Sequence, residues 1–515
     1  MYRTILSTLD DAVEREPDTP ALVFEGRTYT NEQLKTAALV RLGAIQAAGL
    51  LPSTPVLVML DNTDEAVITW LALALGGYTE VPVNTAYIGE TLAHLCRDSG
   101  APTIITEGRF VERLSSTLLG DVTSILLVPT GTEAASGLGE ESVLRDDPSS
   151  LGSIVVRDEL DETAVMYTSG TTGPSKGAVI TERHAYTYAS SVAETIDLKR
   201  GDVYYAPLPL FHIAGRWAVV YAALQRGACT VLVRRFSITS FWQDVRHHQV
   251  TATFLLGAMA QFVLSAPPRP DDDDNPLERV LMVPLIEGVD DFRARFGVQV
   301  ATCFGSTEAN VPLASGWDAG IDDGVGRPRA GFRLRLVTAE GEDAIQGERG
   351  ELLVSTDEDG ICLARYHHNP DATSRAVIDG WLHTGDIFVL DEQARYHFVD
   401  RLKDALRKRG ENISTFEVER EVRSHPGVAE CAVVGVASEH TEEDVVAFVQ
   451  LRSESGPVTP QEIREHVLAR APKFLAPDHV ILVSDFPTTP TGKIQKFELR
   501  ETAHRMMAAP TAAAD

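Results

Sequence analysis

Residues 167–178, Tyr-Thr-Ser-Gly-Thr-Thr-Gly-Pro-Ser-Lys-Gly-Ala, restrict the fold more than any other stretch of the chain. The β-prone runs at 163–166 and 179–181 flank them, so the sequence predicts two short strands joined by a Gly- and hydroxyl-rich loop. Glycines let backbone N–H groups converge on an anion, and hydroxyls with Lys176 add donors and charge, which is the chemistry of a polyphosphate cradle. A Walker A loop is excluded, because Gly177 rather than Ser or Thr follows Lys176 and nothing after it reads as a helix start. The candidate phosphate contacts are Thr168, Ser169, Gly170, Thr171, Thr172 and Lys176. A solvated Ser/Thr/Gly turn is the bland alternative, and motifs further along the chain decide against it.

At 515 residues the chain exceeds what one hydrophobic core organises, so at least two domains are expected. A composition of 44% hydrophobic and 23% charged residues permits a large core. The 74 acidic against 46 basic residues give a net charge of −28, a surface that repels nucleic acid and anionic membranes. Neither is an expected partner. Cys96, Cys229, Cys303, Cys362 and Cys431 are odd in number and scattered, without CxxC spacing. They predict reduced thiols in a cytoplasmic protein and neither a disulfide framework nor a zinc site. The N-terminus carries Asp10, Asp11 and Glu14 and has no apolar core of a signal peptide. The longest apolar run, 66–75, is too short to span a bilayer.

Ile5, Leu6, Leu9 and Val13 recur at helical spacing up to Glu16-Pro17-Asp18. Residues 21–29 read as a hairpin, and Thr30-Asn31-Glu32-Gln33 as a capping box that opens the next helix. From there to about Gly131, apolar strands such as 56–60 alternate with helical stretches such as 65–75 and 88–99, the pattern of an α/β fold with mostly parallel sheets. Residues 134–160 read as loop. The four aspartates at 271–274, flanked by prolines, read as a solvated loop rather than a metal site. His247-His248 and His367-His368 likewise carry no metal pattern. The pattern shifts near Asp400: a basic Gly-containing segment, a helix with Val418 and Val422, strands at 432–434 and 445–449, a helix at 460–471 and a strand at 480–483 form a small α+β unit. Residues 508–515 read as a frayed tail. The predicted fold is therefore α/β, with a large N-terminal domain of several subdomains and mostly parallel sheets at 1–400 and a small mobile α+β domain at 401–515.

Five further motifs follow in order. An apolar stretch at 207–215 contains one histidine, His212, with Arg216 four residues on and a helical run from Trp217. After an apolar strand comes Thr302-Cys303-Phe304-Gly305-Ser306-Thr307-Glu308, then Gly380-Trp381-Leu382-His383-Thr384-Gly385-Asp386, then Asp400-Arg401-Leu402-Lys403-Asp404 with Arg409-Gly410-Glu411-Asn412. Pro487-Thr488-Thr489-Pro490-Thr491-Gly492-Lys493 closes the series. With the loop at 167–178 these motifs resemble, over residues 1–505, the adenylate-forming group of acyl-CoA synthetases, luciferases and peptide-synthetase adenylation domains. The resemblance implies that Phe304 stacks on adenine, that Gly305 and Ser306 belong to the nucleotide site, that Thr307 reaches the α-phosphate and that Glu308 holds Mg2+ through carboxylate oxygen. It implies Asp386 and Arg401 at the ribose, Lys403 as the hinge, and Gly410, Glu411 and Asn412 on the face turned to the acceptor. Lys493 would bridge carboxylate and α-phosphate, and His212 would close over the acid.

Taken alone His212 reads as a buried structural residue, and Arg216 as a structural arginine or a cation for an anionic substituent or second substrate. Two departures stand out. Residues 280–288, Val-Leu-Met-Val-Pro-Leu-Ile-Glu-Gly, replace the Gly-Gly-Ala common beside adenine, a variation that resembles the carnitine-type CoA ligase branch. Thr181-Glu182-Arg183-His184 stands where His-x-Asn commonly follows the threonine. The resemblance implies an AMP-forming acid–CoA ligase using ATP, Mg2+ and CoA, with Trp217, Cys303 and Met282 beside a moderate, aromatic-sized cavity. Two alternatives share the fold: an ATP-dependent diazotase that activates nitrite toward an aryl amine in bacterial secondary metabolism, with Arg216 in the anion site, and a stand-alone enzyme that loads a carrier protein. A non-enzymatic nucleotide-binding module is opposed by the presence of Lys493 and Glu308. The identity of the acid and the choice between monomer and homodimer stay open.

Overall fold

The computed structural model describes residues 3–114, 119–128, 141–168, 175–286, 288–338, 340–401, 405–408, 411–438, 443–452, 457–487, 494 and 496–508. They fall into two compact units, the first running to Asp400 except for Ala86–His94 and Ser175, which group with the second.

In the first unit, local signals set the elements and sheet pairing arranges them. Thr30 accepts from the backbone N–H of Gln33 at 3.2 Å while Gln33 accepts from that of Thr30 at 3.0 Å, so the helix Asn31–Ala47 starts on the expected capping box. One seven-stranded sheet runs Gln299–Ala301, Arg279–Val283, Ala252–Leu256, Val203–Ala206, Cys229–Leu232, Pro20–Phe24 and Arg27–Thr30, parallel except for the last strand. A second, eight-stranded sheet has a parallel body from Glu162–Thr168 through Thr79–Pro82, Pro55–Met59, Thr103–Thr106 and Ser124–Leu127 to Glu141–Val143. Its other edge is antiparallel: Lys176–Thr181 pairs with Glu162–Thr168, and Arg365–Tyr366 pairs with Lys176–Thr181. Strands buried on both faces need continuous apolar runs, which 56–60 supplies.

One apolar cluster links the two sheets through helix Asp64–Leu75, buried at every position from Ala66 on, and through Trp217 to Ala223. Such all-round hydrophobicity marks a helix with no solvent face. The run expected to be helical from Trp217 opens with a π-helix, Ala214–Tyr221, that passes into α-helix Ala222–Arg226. The acidic loop is not wholly solvated. Asp272 is buried and accepts from the backbone N–H of Arg269 at 2.9 Å and from Arg295 Nε at 2.7 Å.

The second unit is built on a three-stranded sheet of Val428–Ala437, Glu443–Leu451 and His479–Val483. Alternate residues serve opposite faces. Val433, Val445, Ala447 and Val449 pack against Val418, Val422, Ile463 and Val467, whereas Ala432, Val434, Val446 and Phe448 pack against Leu499 and Ala503. The last two belong to helix Lys496–Ala508, which the sequence reading did not foresee; of the tail expected at 508–515, residues 509–515 lie outside the described residues.

Glu417, on helix Thr415–Arg423 of this unit, is buried, and that burial pushes its carboxyl up to about 7 against the attraction of Arg420. A folded state that holds a proton the unfolded chain releases is stabilised below the unfolded value and loses that stabilisation as pH rises through 7. Glu417→Gln is therefore expected to remove up to about 3 kcal/mol of pH-dependent stability between pH 5 and 8. Urea midpoints at both pH values, wild type against variant, measure this; identical pH slopes would contradict it.

Candidate active site

The hairpin register places the first pair of site residues. Val165 faces Val179, Met166 faces Ala178, Tyr167 faces Gly177 and Thr168 faces Lys176. Because strand side chains alternate, a one-residue slip would carry Ala164, Met166 and Thr168 together to the opposite face. Gly177 is required by packing: a Cβ there would lie 2.5 Å from Val165 Cγ1 and 3.2 Å from the Tyr167 ring. That ring is held in turn by its hydroxyl, which donates to Asp98 Oδ2 at 2.6 Å. Thr168 and Lys176 thus stand together at the mouth of the hairpin. Ser169, Gly170, Thr171 and Thr172 lie outside the described residues.

A second hairpin, Cys303–Ser306 with Asn310–Ala314, carries the next group. Asn310 turns it with φ of 62°, and its side-chain amide donates to the carbonyls of His184 and Ile361, both at 3.0 Å. Asn is among the few residues that tolerate this left-handed conformation. Gly305 is exposed yet cannot carry a side chain, since a Cβ would sit 2.6 Å from the Asn310 carbonyl oxygen. Ser306 Oγ accepts from the Ala309 N–H at 2.9 Å, and Phe304 packs edge-to-face on Phe388 with centroids 4.9 Å apart. Thr307 and Glu308 follow, half-buried.

The two hairpins meet at Glu308. Thr168 Oγ1 donates to its Oε1 at 2.9 Å, and the Tyr366 hydroxyl donates to the same oxygen at 3.0 Å. The Lys176 ammonium lies 5.3 Å from the centroid of the Tyr366 ring, within cation–π range. Burial and the neighbouring Glu308 charge push the Tyr366 phenol far above its ordinary range, so it stays a donor. Among the described residues no donor reaches Oε2. They also include no cluster of three or more His, Cys, Asp or Glu suited to a metal, so a cation at Glu308 would draw its other ligands from substrate oxygen and water.

Asp386 lies on strand Trp381–Leu390 and is 3% exposed. Thr384 accepts from its backbone N–H at 3.1 Å, while Glu351 accepts from the Gly385 N–H at 2.9 Å and pairs with His383 at 2.9 Å, so the turn holding Asp386 is braced from both sides. Phe388 on the same strand is the residue against which Phe304 packs, which ties the Asp386 strand to the Glu308 hairpin. Arg401 ends strand Tyr396–Arg401. In the second unit, Glu411 and Asn412 lie on Glu411–Ser414, opposite Lys408 and Arg407. Lys403, Gly410 and Lys493 fall outside the described residues.

The substrate candidates separate. His212 is half-buried with its ring 4.5 Å from that of Phe211, and its carbonyl accepts from the Arg216 N–H at 3.2 Å as the π-helix begins. Arg216 is not a cation waiting for an anion. It is 3% exposed, hydrogen-bonded and ion-paired to the buried Glu80, and its guanidinium carbon lies 5.7 Å from the Trp70 ring centroid. Burial pushes the Glu80 carboxyl up and the Arg216 guanidinium down, while their mutual attraction opposes both shifts. Cys303 is buried in the wall of an apolar cluster, and that burial pushes its thiol up to about 12, so it stays neutral. Met282 does not share that wall: Leu281 joins the cluster containing Cys303 and Trp217, whereas Met282 packs on the opposite face with Tyr205 and Phe292.

Two residues that matter here escaped the sequence reading, Glu80 and Tyr366. The signal for Glu80 was a lone carboxylate at the head of the apolar run Val81-Pro82-Val83. For Tyr366 it was position, just ahead of Asn369-Pro370, whose Asn caps helix Pro370–Ala376 by accepting from the Ala372 N–H.

Comparison with known proteins gives the site its context. The AMP-binding enzyme family matches residues 9–362, and the AMP-binding enzyme C-terminal domain matches residues 417–493. The chain is 29% identical to a crotonobetaine/carnitine–CoA ligase of Citrobacter koseri, across 95% of this chain and 98% of that protein. It is 29% identical to the fatty acid–[acyl-carrier-protein] ligase ScoC of Streptomyces coeruleorubidus, across 97% and 96%. Its fold superimposes on o-succinylbenzoate CoA synthetase from Bacillus subtilis with a TM-score of 0.81 at 23% identity, covering 96% and 98% of the two chains. The amide bond synthetase McbA from Marinactinospora thermotolerans gives 0.82 at 22% identity, covering 97% and 99%. The chain belongs to the AMP-binding enzyme family and is an adenylate-forming ligase.

Proposed function

We propose that this enzyme activates a carboxylic acid with ATP and passes the acyl group to CoA. The observation that carries the reading is the junction of the two hairpins, where Thr168 beside the phosphate loop hydrogen-bonds Glu308 at 2.9 Å. The likeness to crotonobetaine/carnitine–CoA ligase over nearly the whole chain supports CoA as acceptor.

In the first half-reaction an oxygen of the substrate carboxylate forms a bond to the α-phosphorus as the bond to the bridging oxygen breaks, and pyrophosphate leaves. Negative charge builds on oxygens that already repel one another. Lys176, Lys493 and the N–H groups of the loop at 169–174 offset it, and Thr307 donates to the α-phosphate. Phe304 stacks on adenine, while Asp386 and Arg401 take the ribose hydroxyls, which a carboxylate accepts in pairs. His212 closes over the acid. Glu308, with one oxygen open and hard-oxygen chemistry, fits Mg2+, and Mg2+ bound there would neutralise phosphate charge. In the second half-reaction the acceptor thiol attacks the acyl carbonyl and AMP departs. Movement of the C-terminal part about Lys403 would withdraw Lys493 and present Gly410, Glu411 and Asn412 to the acceptor.

A carrier protein in place of CoA is the second reading, favoured by the likeness to ScoC. The diazotase alternative loses its main residue-level support, because the Arg216 charge is matched by Glu80.

Pyrophosphate release with ATP, Mg2+ and a panel of aryl and short acyl acids, with CoA, a carrier protein or nitrite plus an aryl amine added, tests the reading when products are read by mass spectrometry. An acyl-CoA mass supports it; a loaded carrier or nitrite-dependent loss of the amine replaces it. Lys493→Ala is expected to lower adenylate formation by about 100-fold or more while thioester formation from supplied acyl-adenylate persists. Equal loss of both half-reactions would contradict the two-step account. If Arg216 is structural, Arg216→Met and Glu80→Gln each lower stability by about 3–5 kcal/mol, and Arg216→Met with Glu80→Leu recovers it with KM for the acid unchanged. A raised KM that persists in the double variant would restore Arg216 to the substrate site.

A further inference from the structure

We propose that Tyr366 is a positioning residue for the Glu308 carboxylate, holding it so that Oε2 points to the cation that travels with the nucleotide. The inference rests on the reading of Glu308 as metal ligand. A carboxylate on a half-buried hairpin has a soft terminal torsion and two equivalent oxygens, so a ligand oxygen must be selected and aimed. Here both donors choose the same one. Thr168 Oγ1 stands 2.9 Å from Oε1 and 3.5 Å from the Lys176 carbonyl oxygen, so its single proton goes to the carboxylate. The Tyr366 hydroxyl approaches that oxygen from a third segment at 3.0 Å.

Tyr366 is itself fixed from several sides. Its backbone pairs with Ala178 on the outer edge of the hairpin, and its N–H donates to Thr373 Oγ1 at 2.9 Å. Thr373 lies on the Asn369-capped helix Pro370–Ala376. The ring face meets the Lys176 ammonium. The backbone of the Glu308 hairpin is held to the same segment, since the Leu363 N–H donates to the Glu308 carbonyl at 2.8 Å. A phenol so anchored orients Glu308 before any cation arrives, and outer partners of this kind typically set metal affinity by 10–100-fold.

The experiment is a Mn2+ titration of the full-length protein by electron paramagnetic resonance, with α,β-methylene-ATP present, for wild type, Tyr366→Phe, Thr168→Val and Glu308→Gln. Tyr366→Phe keeps the ring against Lys176 and removes only the hydroxyl. About tenfold weaker Mn2+ binding is expected for it, with metal-free binding of the analogue and the thermal midpoint unchanged. Thr168→Val is expected to weaken Mn2+ binding as well, and combining the two is expected to approach Glu308→Gln. If Glu308→Gln leaves Mn2+ affinity intact, the metal reading of Glu308 fails. If Glu308→Gln weakens binding while Tyr366→Phe and wild type agree, the positioning role of Tyr366 is overturned. A Tyr366→Phe variant that lowers the thermal midpoint without changing Mn2+ affinity also overturns it, as a purely structural residue would behave that way.

Discussion

The antiparallel pairing of Glu162–Thr168 with Lys176–Thr181 is the constraint on which the site depends. Its apolar residues alternate into buried surroundings on both faces, so a one-residue slip would send every side chain into the packing of the opposite face. On one side Glu162–Thr168 adds to the parallel body of the sheet; on the other, Lys176–Thr181 carries the short strand Arg365–Tyr366. These two pairings, Thr168 with Lys176 and Tyr366 with Ala178, fix the three residues relative to one another. The Glu308 hairpin then needs only one correct approach to meet two of them, and the left-handed Asn310 with its two side-chain hydrogen bonds supplies it.

The helix opening at Ala214 answers a similar demand by different means. Gly215 has no room for a side chain, because a Cβ would meet the carbonyl oxygens of Pro209 and Leu208 at 2.2 and 2.6 Å. The chain leaving the sheet after Val203–Ala206 therefore folds directly back against the first turn, with His212 at the corner. Arg216 in that turn is tied to Glu80 on the neighbouring sheet. A buried ion pair contributes little net stability but is costly to break on one side only, so it discriminates against misplaced packing of helix on sheet.

Much of this was legible in the sequence, and what was not shares one cause. Hairpin, capping box and strand–helix alternation are local patterns of period two or 3.6, and the residues that create them also report them. The site motifs were legible through their resemblance to a known family, and at Gly305, ahead of Thr307 and Glu308, the structure supplies a reason: no side chain fits there. The pairing of Arg216 with a carboxylate 136 positions away has no local trace. Without it, Arg216 reads as an available cation. Met282 was misplaced for the converse reason: period two assigns it a face of its strand but not which face meets the acid. Tyr366 lies on a two-residue edge strand, too short for any periodicity to report. Asp272 read as solvated because its partner, Arg295, lies on a later helix, Val289–Phe296.

The two carboxylates that organise the first unit show how a partner's charge decides a role. Glu80 is met by a guanidinium, and the pair is close to neutral; a ligand anion brought to Arg216 would have to compete with a fixed, buried counter-ion. Glu308 is met by two hydroxyls, which carry no net charge. They orient the carboxylate and satisfy one oxygen, yet leave its full negative charge for a cation. A lysine in place of Tyr366 would orient Glu308 as well and cancel the charge that the proposed cation role requires. Lys176 instead lies over the face of the Tyr366 ring, 5.3 Å from its centroid. Neutral donors on the acid fix its orientation without cancelling its charge, which is the condition that the proposed cation ligand has to meet.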